Sequence, residues 1–169
     1  MSTPNIKNLQ EKNAVFSKNW TRGLLDLPPA KKVLFVTCMD ARIDPVAQFG
    51  IQIGDAHVVR NAGGSAKDSI RSIVISQNLL GTREIIVVKH TDCGMLTFNN
   101  EEGHAIVVKN LGEQGDAALP FKDFLPLTDL EKDTIEDVEF LKNHPAVHKD
   151  IPITGWIITL ETGAVHQVV

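Results

Sequence analysis

Two short clusters of reactive side chains stand out in the sequence. The first is residues 38–42, with the sequence CMDAR, and the second is residues 90–94, with the sequence HTDCG. If the fold brings them together, two thiolates and one imidazole converge, which is a ligand set that suits tetrahedral Zn²⁺. Cys38, His90 and Cys93 would leave one coordination position open for water or substrate, as in catalytic zinc sites. The sequence therefore predicts a catalytic zinc ion.

Two other interpretations of these three residues compete with a zinc site. A buried cysteine is often only a small apolar side chain, and a core histidine can simply be hydrogen bonded. That reading leaves unexplained why all three stand where a strand is predicted to end, with His90 and Cys93 at a short spacing typical of metal ligands. A redox pair is the other option, and it predicts a reversible Cys38–Cys93 disulfide without bound metal.

Asp40 and Arg42 lie beside the first candidate ligand. On an extended chain, residues two apart share a face, so a charge-assisted contact between them is easy to form. The alternative is a solvated surface ion pair of little energetic value. Next to a metal, the Asp40 carboxylate could accept a hydrogen bond from hydroxide on the zinc or become a fourth ligand itself, while Arg42 keeps it ionised and oriented.

Apolar runs place these clusters at the ends of predicted strands. Residues 33–37 show no polar alternation, as expected of a strand buried on both faces, and they end at Cys38. Residues 85–89 end at His90, and residues 56–60 lead into a glycine-rich turn. Ligands gather at the carboxyl ends of parallel strands, so we expect the functional site at that edge of the sheet.

The glycine-rich turn is residues 60–65, with the sequence RNAGGS. Gly63 and Gly64 precede a predicted helix over residues 65–80, and backbone N–H groups there could meet an anion. The simpler explanation is a tight turn that needs an unrestricted φ angle. Gly81 is a plausible stop for the helix.

The remaining pattern predicts an α/β fold with a mainly parallel β-sheet flanked by helices. A charged stretch over residues 128–143 indicates a surface helix, and residues 153–160 indicate another strand. Residues 161–163 could turn this strand back into residues 164–169 as a C-terminal antiparallel edge strand. We expect a single domain over residues 1–169.

Residues 1–27 form a predicted N-terminal helical arm, separated by two prolines from an α/β body over residues 31–169. The arm carries apolar residues at loosely helical spacings, broken at Gly23. These residues are Leu9, Val15, Phe16, Trp20, Leu24 and Leu25. Such a helix could pack on its own body or on a second subunit.

Composition narrows the class of protein. With 169 residues, of which 43% are hydrophobic and 22% charged, the chain can bury one core. The net charge is −4 and the basic residues are scattered, which argues against nucleic acid as a partner. The sequence has neither an apolar run of about 18 residues nor the apolar start of a signal peptide, so we expect no membrane association and a cytoplasmic location.

Together these residues resemble the β-class carbonic anhydrases, in particular their short members. The family pattern Cys-x-Asp-x-Arg, Arg-Asn-Ala-Gly and His-x-x-Cys-Gly occurs here in that order, and the match runs from about residue 33 to residue 94. The resemblance implies one zinc ion per subunit on Cys38, His90 and Cys93. It also implies a homodimer or a dimer-based oligomer, in which the N-terminal helices embrace the partner.

The resemblance further implies the reversible hydration of carbon dioxide to bicarbonate and a proton, with Asp40 and Arg42 as the catalytic pair. In some members of the family, the aspartate ligates zinc in an inactive closed state. The resemblance implies that the turn of Gly63 and Gly64 lines the substrate pocket. Backbone N–H groups near Gly63 and Gly94 could stabilise the developing anion.

Two functional alternatives remain at this stage. Hydrolases of carbon disulfide or carbonyl sulfide resemble the same family and use the same zinc constellation. A non-catalytic zinc-binding module is the other possibility, but it would need a fourth protein ligand and no catalytic pair. Among the histidines that could export the proton, His57 is the weakly favoured candidate.

Overall fold

The computed structural model describes residues 2–169. Its helices are α1 (Pro4–Lys18), α2 (Pro45–Phe49), α3 (Ala66–Asn78), α4 (Asn100–Ala117) and α5 (Leu130–Asn143). Its strands are β1 (Val33–Cys38), β2 (Ala56–Asn61), β3 (Glu84–His90), β4 (Ile153–Thr159) and β5 (Ala164–Gln167). Within residues 2–169, no helix combines the length and the apolar character needed to cross a membrane.

The five strands form one sheet in the order β2-β1-β3-β4-β5. Strands β1 to β4 are parallel to one another, and β5 pairs antiparallel with β4. This confirms the predicted α/β fold with its C-terminal antiparallel edge strand. Because β1 lies between β2 and β3, the carboxyl ends of all three strands meet at one edge, with Cys38 directly opposite Asn61.

The main core lies between the sheet and helices α3 and α5. β1 is buried along all six residues, because both faces of this central strand are covered. Fully buried side chains from β1, β3, α3 and α5 fill this layer; they include Val36, Val87, Ile73, Val138 and Leu141. The other face carries a smaller cluster, in which Phe49 of α2 stacks on Phe35 with ring centroids 5.3 Å apart.

Truncation of Leu141 tests this core. Leu141 is 0% exposed, so we expect Leu141→Ala to lower the free energy of unfolding by about 2–5 kcal/mol through lost burial and a residual cavity. The matched control is Leu79→Ala, because Leu79 is 72% exposed and should change stability by less than about 0.5 kcal/mol. Urea unfolding of both variants measures the difference, and equal losses would contradict the assigned core.

Two helices escaped the sequence analysis, and one was characterised only in part. α4 contains three glycines, of which Gly112 has a non-helical φ of 78°, so its apolar periodicity is weak. α2 spans only five residues. The predicted surface helix is α5, but it buries one side, including Asp137 and Leu141, and therefore also belongs to the core.

The N-terminal helix is shorter than the apolar spacing suggested. α1 ends at Lys18, because Asn19 caps it and its side chain donates to Val15 O at 3.0 Å. Trp20 and the two leucines at positions 24 and 25 therefore lie beyond the helix. The helix predicted over residues 65–80 is α3, which ends at Asn78, three residues before the proposed stop at Gly81.

Candidate metal centre

The three predicted ligands converge in the structure. One ligand atom each from Cys38, His90 and Cys93 lies within 4.8 Å of the other two, and all three residues are buried. Cys38 ends β1 and His90 ends the neighbouring strand β3. Cys93 follows in a turn rather than at a strand end, and Asp92 makes that turn with a positive φ of 53°.

The hydrogen bonding of His90 fits a metal ligand. Its Nδ1 lies 2.8 Å from the carbonyl oxygen of Thr91, which acts as acceptor and leaves the lone pair on Nε2. Within residues 2–169, Nε2 is buried without a hydrogen-bond partner, and a buried polar atom of this kind needs one. Two free thiols beside an imidazole form a donor set that suits Zn²⁺.

The two thiols influence each other strongly. A hydrogen bond from the Cys93 thiol, helped by His90 and by the backbone amides of Asp40 and Gly63, lowers the pKa of Cys38 to about 4 against the effect of burial. The hydrogen bond to Cys38 and burial raise the pKa of Cys93. Two thiols this close together suit a divalent cation, which displaces their protons when it binds.

Asp40 is held by Arg42 beside this cluster. Arg42 donates to the carboxylate from Nε to Oδ1 at 2.9 Å and from Nη2 to Oδ2 at 2.8 Å. The contact forms in a turn closed by Ile43 N and Asp40 O at 3.0 Å, not on an extended chain as expected from the sequence. Hydrogen bonds from Arg42 hold the pKa of Asp40 well below its usual range, and Asp40 Oδ2 lies 3.9 Å from His90 Nε2.

Asp92 is a further partner of Arg42 that the sequence analysis did not single out. Arg42 Nη1 contacts Asp92 Oδ2 at 2.7 Å, and Nη2 donates to the Asp92 carbonyl oxygen at 2.9 Å. The guanidinium group therefore links the two sequence clusters directly. Asp92 stands inside the second cluster, but its spacing from Arg42 in the sequence contains no signal of the contact.

Arg60 also contributes to the centre. It donates from Nε to the Cys38 carbonyl oxygen at 3.0 Å and from Nη2 to the Asp40 carbonyl oxygen at 2.6 Å. These bonds hold the backbone on both sides of Met39, whose own N–H donates to Asn61 O at 2.9 Å. Arg60 stands in the RNAGGS motif of the sequence, but the motif does not indicate these hydrogen bonds.

Gly63 and Gly64 form a tight turn at the same edge. Both have positive φ angles, 71° and 59°, which L side chains rarely adopt. A Cβ atom on Gly64 would lie 3.0 Å from the Thr37 carbonyl carbon and 3.1 Å from the Cys38 nitrogen. The turn therefore packs directly on the end of β1, and the simpler conformational explanation for these glycines holds whether or not they meet substrate.

Of the other predicted residues, Gly94 lies next to the cluster and His57 lies away from it. Gly94 begins a short 3-10 turn immediately after Cys93, so it borders the centre, and its contact with substrate stays a prediction. His57 lies opposite Leu34, four residues before the end of β2, which is about 13 Å along the strand. Its Nδ1 lies 2.7 Å from Ser76 Oγ, so His57 does not line the centre.

Leu127 reaches the centre from the loop after α4. It packs in a cluster with both cysteines and with Ile43, and its N–H donates to Met95 O at 2.8 Å. The same loop is attached to α4 through His104, whose Nε2 lies 2.9 Å from the Lys122 carbonyl oxygen.

The attachment through His104 should depend on pH. Asp116, whose Oδ1 lies 2.6 Å from His104 Nδ1, raises the pKa of this histidine. A raised pKa means that protonated His104 stabilises the fold below its unfolded pKa, and that this contribution is lost as pH rises through the folded pKa. We expect NMR titration to show a lower pKa of His104 in Asp116→Asn, and an unchanged pKa would contradict the contact.

Comparison with known proteins agrees with this geometry. A sequence profile of the family described as carbonic anhydrase matches residues 33–165. "Beta-carbonic anhydrase 1" of Mycobacterium tuberculosis strain H37Rv is 38% identical over 148 residues, covering 87% of this chain and 88% of that protein. "Carbon disulfide hydrolase" of Acidianus sp. strain A1-3 is 37% identical, covering 83% of this chain and 79% of the relative.

Solved structures show the same relationship. The crystal structure of carbonic anhydrase from Streptococcus mutans superposes with a TM-score of 0.90 at 40% sequence identity, covering 100% of both chains. The matched profile covers most of the α/β body and includes all three converging residues. The chain therefore belongs to the β-carbonic anhydrase family.

Proposed function

We propose that this protein catalyses the zinc-dependent reversible hydration of carbon dioxide to bicarbonate and a proton. The observation that carries the proposal is the convergence of Cys38, His90 and Cys93 within 4.8 Å, beside a carboxylate held by arginine, in a member of the β-carbonic anhydrase family. These three residues are the proposed ligands of one zinc ion per subunit. Bound zinc supplies a water whose pKa is lowered to about 7.

The chain's own residues would bind and orient the reactants. Asp40 is ionised because Arg42 holds it, so at neutral pH it can only accept hydrogen bonds. Its Oδ2, the oxygen on the side of His90, could accept a hydrogen bond from the attacking water and turn a lone pair of that water toward the substrate carbon. Arg42 fixes this orientation with two parallel bonds.

Substrate would lie between the glycine turn and the chain after Cys93. We assign the substrate contacts to backbone N–H groups of Gly63, Gly64 and Gly94, since amides placed before a reaction stabilise charge that develops on oxygen. Leu127 and Met95 supply apolar surface next to Gly63. The ion pair between Asp40 and Arg42 supports a catalytic role for Asp40 over an aspartate-ligated closed state.

A carbon disulfide or carbonyl sulfide hydrolase is the second candidate, because relatives named "Carbon disulfide hydrolase" are 32–37% identical to this chain. A long apolar entrance would favour the sulfur substrates. The side chain of Arg42 is 51% exposed in the single chain, so the Asp40–Arg42 side of the site faces solvent, and a short approach of this kind supports carbon dioxide.

One preparation with a quantified zinc content decides between the substrates. We expect stopped-flow assays with a pH indicator to show rapid carbon dioxide hydration, and sulfide release from carbon disulfide to stay near the buffer rate. The opposite pattern would assign the protein to the sulfur hydrolases. Zinc without either activity would favour a non-catalytic module.

We also propose a homodimer in a reducing, cytoplasmic setting, where the two thiols stay available to metal. None of the residues of α1, Pro4–Lys18, is buried in the single chain, although Leu9 and Phe16 are apolar. A second copy would cover this surface.

Substitutions on α1 test the dimer. Light scattering should give twice the chain mass for the wild-type protein and one chain mass for Leu9→Asp/Phe16→Asp, because charges oppose burial of that face. The control Lys7→Asp/Lys12→Asp also adds charge to the helix but leaves its apolar residues intact. A monomeric wild-type protein, or a Leu9→Asp/Phe16→Asp variant with the wild-type mass, would contradict this role of α1.

A further inference from the structure

Lys89 is a buried cation in the strand that carries a proposed zinc ligand. It is 1% exposed and immediately precedes His90 in β3. Its Nζ lies 2.7 Å from Asp137 Oδ2 and donates to the carbonyl oxygens of Gly63 at 3.1 Å and Gly64 at 3.4 Å. Every proton of the ammonium group is thereby directed at an acceptor.

Such a pair is costly to bury, and its place in the fold indicates what it does. Removing two charges from water carries a large desolvation penalty, so an apolar pair at these positions would often be as stable. The Asp137 carboxylate comes from α5 and also accepts a hydrogen bond from Ala66 N, at the start of α3, at 3.2 Å. The pair therefore joins β3 and α5 to the glycine turn and to the helix that follows it.

The Gly63–Gly64 turn also contacts the candidate metal centre. Gly64 packs against the backbone of Cys38, where an added Cβ would lie 3.1 Å from the nitrogen. A Cβ on Gly63 would lie 3.2 Å from Met95 Cγ, so the turn fits between the end of β1 and the chain after Cys93.

We propose that the Lys89–Asp137 ion pair positions the Gly63–Gly64 turn against Cys38, and thereby sets both the metal affinity of the centre and the geometry of its substrate pocket. Lys89 and Asp137 are positioning residues in this proposal, because they act through the turn. The proposal rests on the proposed zinc function of Cys38. Groups that orient ligands in this way typically change metal affinity by about 10–100-fold.

The test replaces both charges at once, since removing only one would leave the other buried and unpaired. Lys89→Met/Asp137→Leu replaces both charges by apolar side chains, and leucine keeps the branched shape of aspartate. The matched control is Lys132→Met/Glu136→Leu, an exposed pair on α5 at 3.6 Å. For each protein, chelator competition measures zinc affinity, and the cobalt-substituted form reports the energy of the sulfur-to-cobalt charge-transfer band.

We expect the Lys89/Asp137 variant to bind zinc about 10–100-fold more weakly, to shift the charge-transfer band and to lower kcat more than it changes KM. The control should match the wild-type protein in all measurements. A folded Lys89/Asp137 variant with wild-type affinity, band and kcat would overturn the proposal. If hydration is absent even in the wild-type protein, the proposed function fails, but affinity and band still test the positioning.

Asp137→Asn covers the case in which the double variant does not fold. It keeps the shape and an acceptor oxygen but removes the counter-charge of a lysine that is 1% exposed. We expect the same changes in affinity and band at smaller size. Wild-type values in this folded variant would overturn the proposal equally.

Discussion

Cys93→Ser is expected to release zinc and to lower carbon dioxide hydration by a factor on the order of 10³ or more, because the activated water depends on the metal. A serine hydroxyl does not ionise as a thiol does and is a harder, poorer ligand for zinc than a thiolate. The position is buried within 4.8 Å of the other two ligand atoms, so a substitute ligand from solvent would have to enter a closed cluster.

The measurement combines zinc per chain after dialysis with stopped-flow hydration. His166→Gln serves as the control, because His166 is exposed on β5 and should retain both zinc and activity. Circular dichroism separates metal loss from unfolding. Full zinc content with full activity in Cys93→Ser would rule out this residue as a ligand and reopen the assignment of the whole centre.

Asp40→Ala should have the second-largest effect, with zinc retained and kcat lowered by about 10²–10⁴-fold. The carboxylate is the group that would orient the attacking water, whereas the three proposed ligands remain in place. Removing the Asp40 carboxylate also takes two acceptors from the Arg42 side chain, which keeps its bonds to Asp92. Loss of rate without loss of metal is therefore the signature of the pair.

Asp55→Ala is the matched control for this substitution. Asp55 also pairs with a cation, Lys31, at 3.1 Å, but it precedes β2 and lies away from the carboxyl ends of the strands. Its removal should leave kcat unchanged. Wild-type activity in Asp40→Ala would keep the metal assignment but discard the catalytic pair.

The strands that position the centre could be predicted from the local sequence pattern. Short apolar runs located β1 and β3, since strands buried on both faces are rich in apolar residues. α4 could not be predicted, because its glycines weaken the apolar periodicity. Its start is stabilised by the reciprocal hydrogen bonds of Asn99 and Glu102, and the apolar periodicity does not reveal such a cap.

Contacts between residues that are far apart in the sequence could not be predicted from the local pattern. Lys89 was visible only as the charged end of an apolar run, and Asp137 as one acid among several on a charged helix. Their contact joins residues 48 positions apart in the chain. The same holds for Arg42 and Asp92, which are 50 positions apart.

By itself, the sequence determined the donor types and the strand ends at which Cys38 and His90 lie, because side-chain chemistry and the hydrophobic period are local properties. Only the tertiary structure decided that β1 and β3 are neighbours, and that Cys38, His90 and Cys93 therefore meet. It also decided which cation each carboxylate faces, because ion pairs depend on distances of a few ångströms that chain folding alone sets.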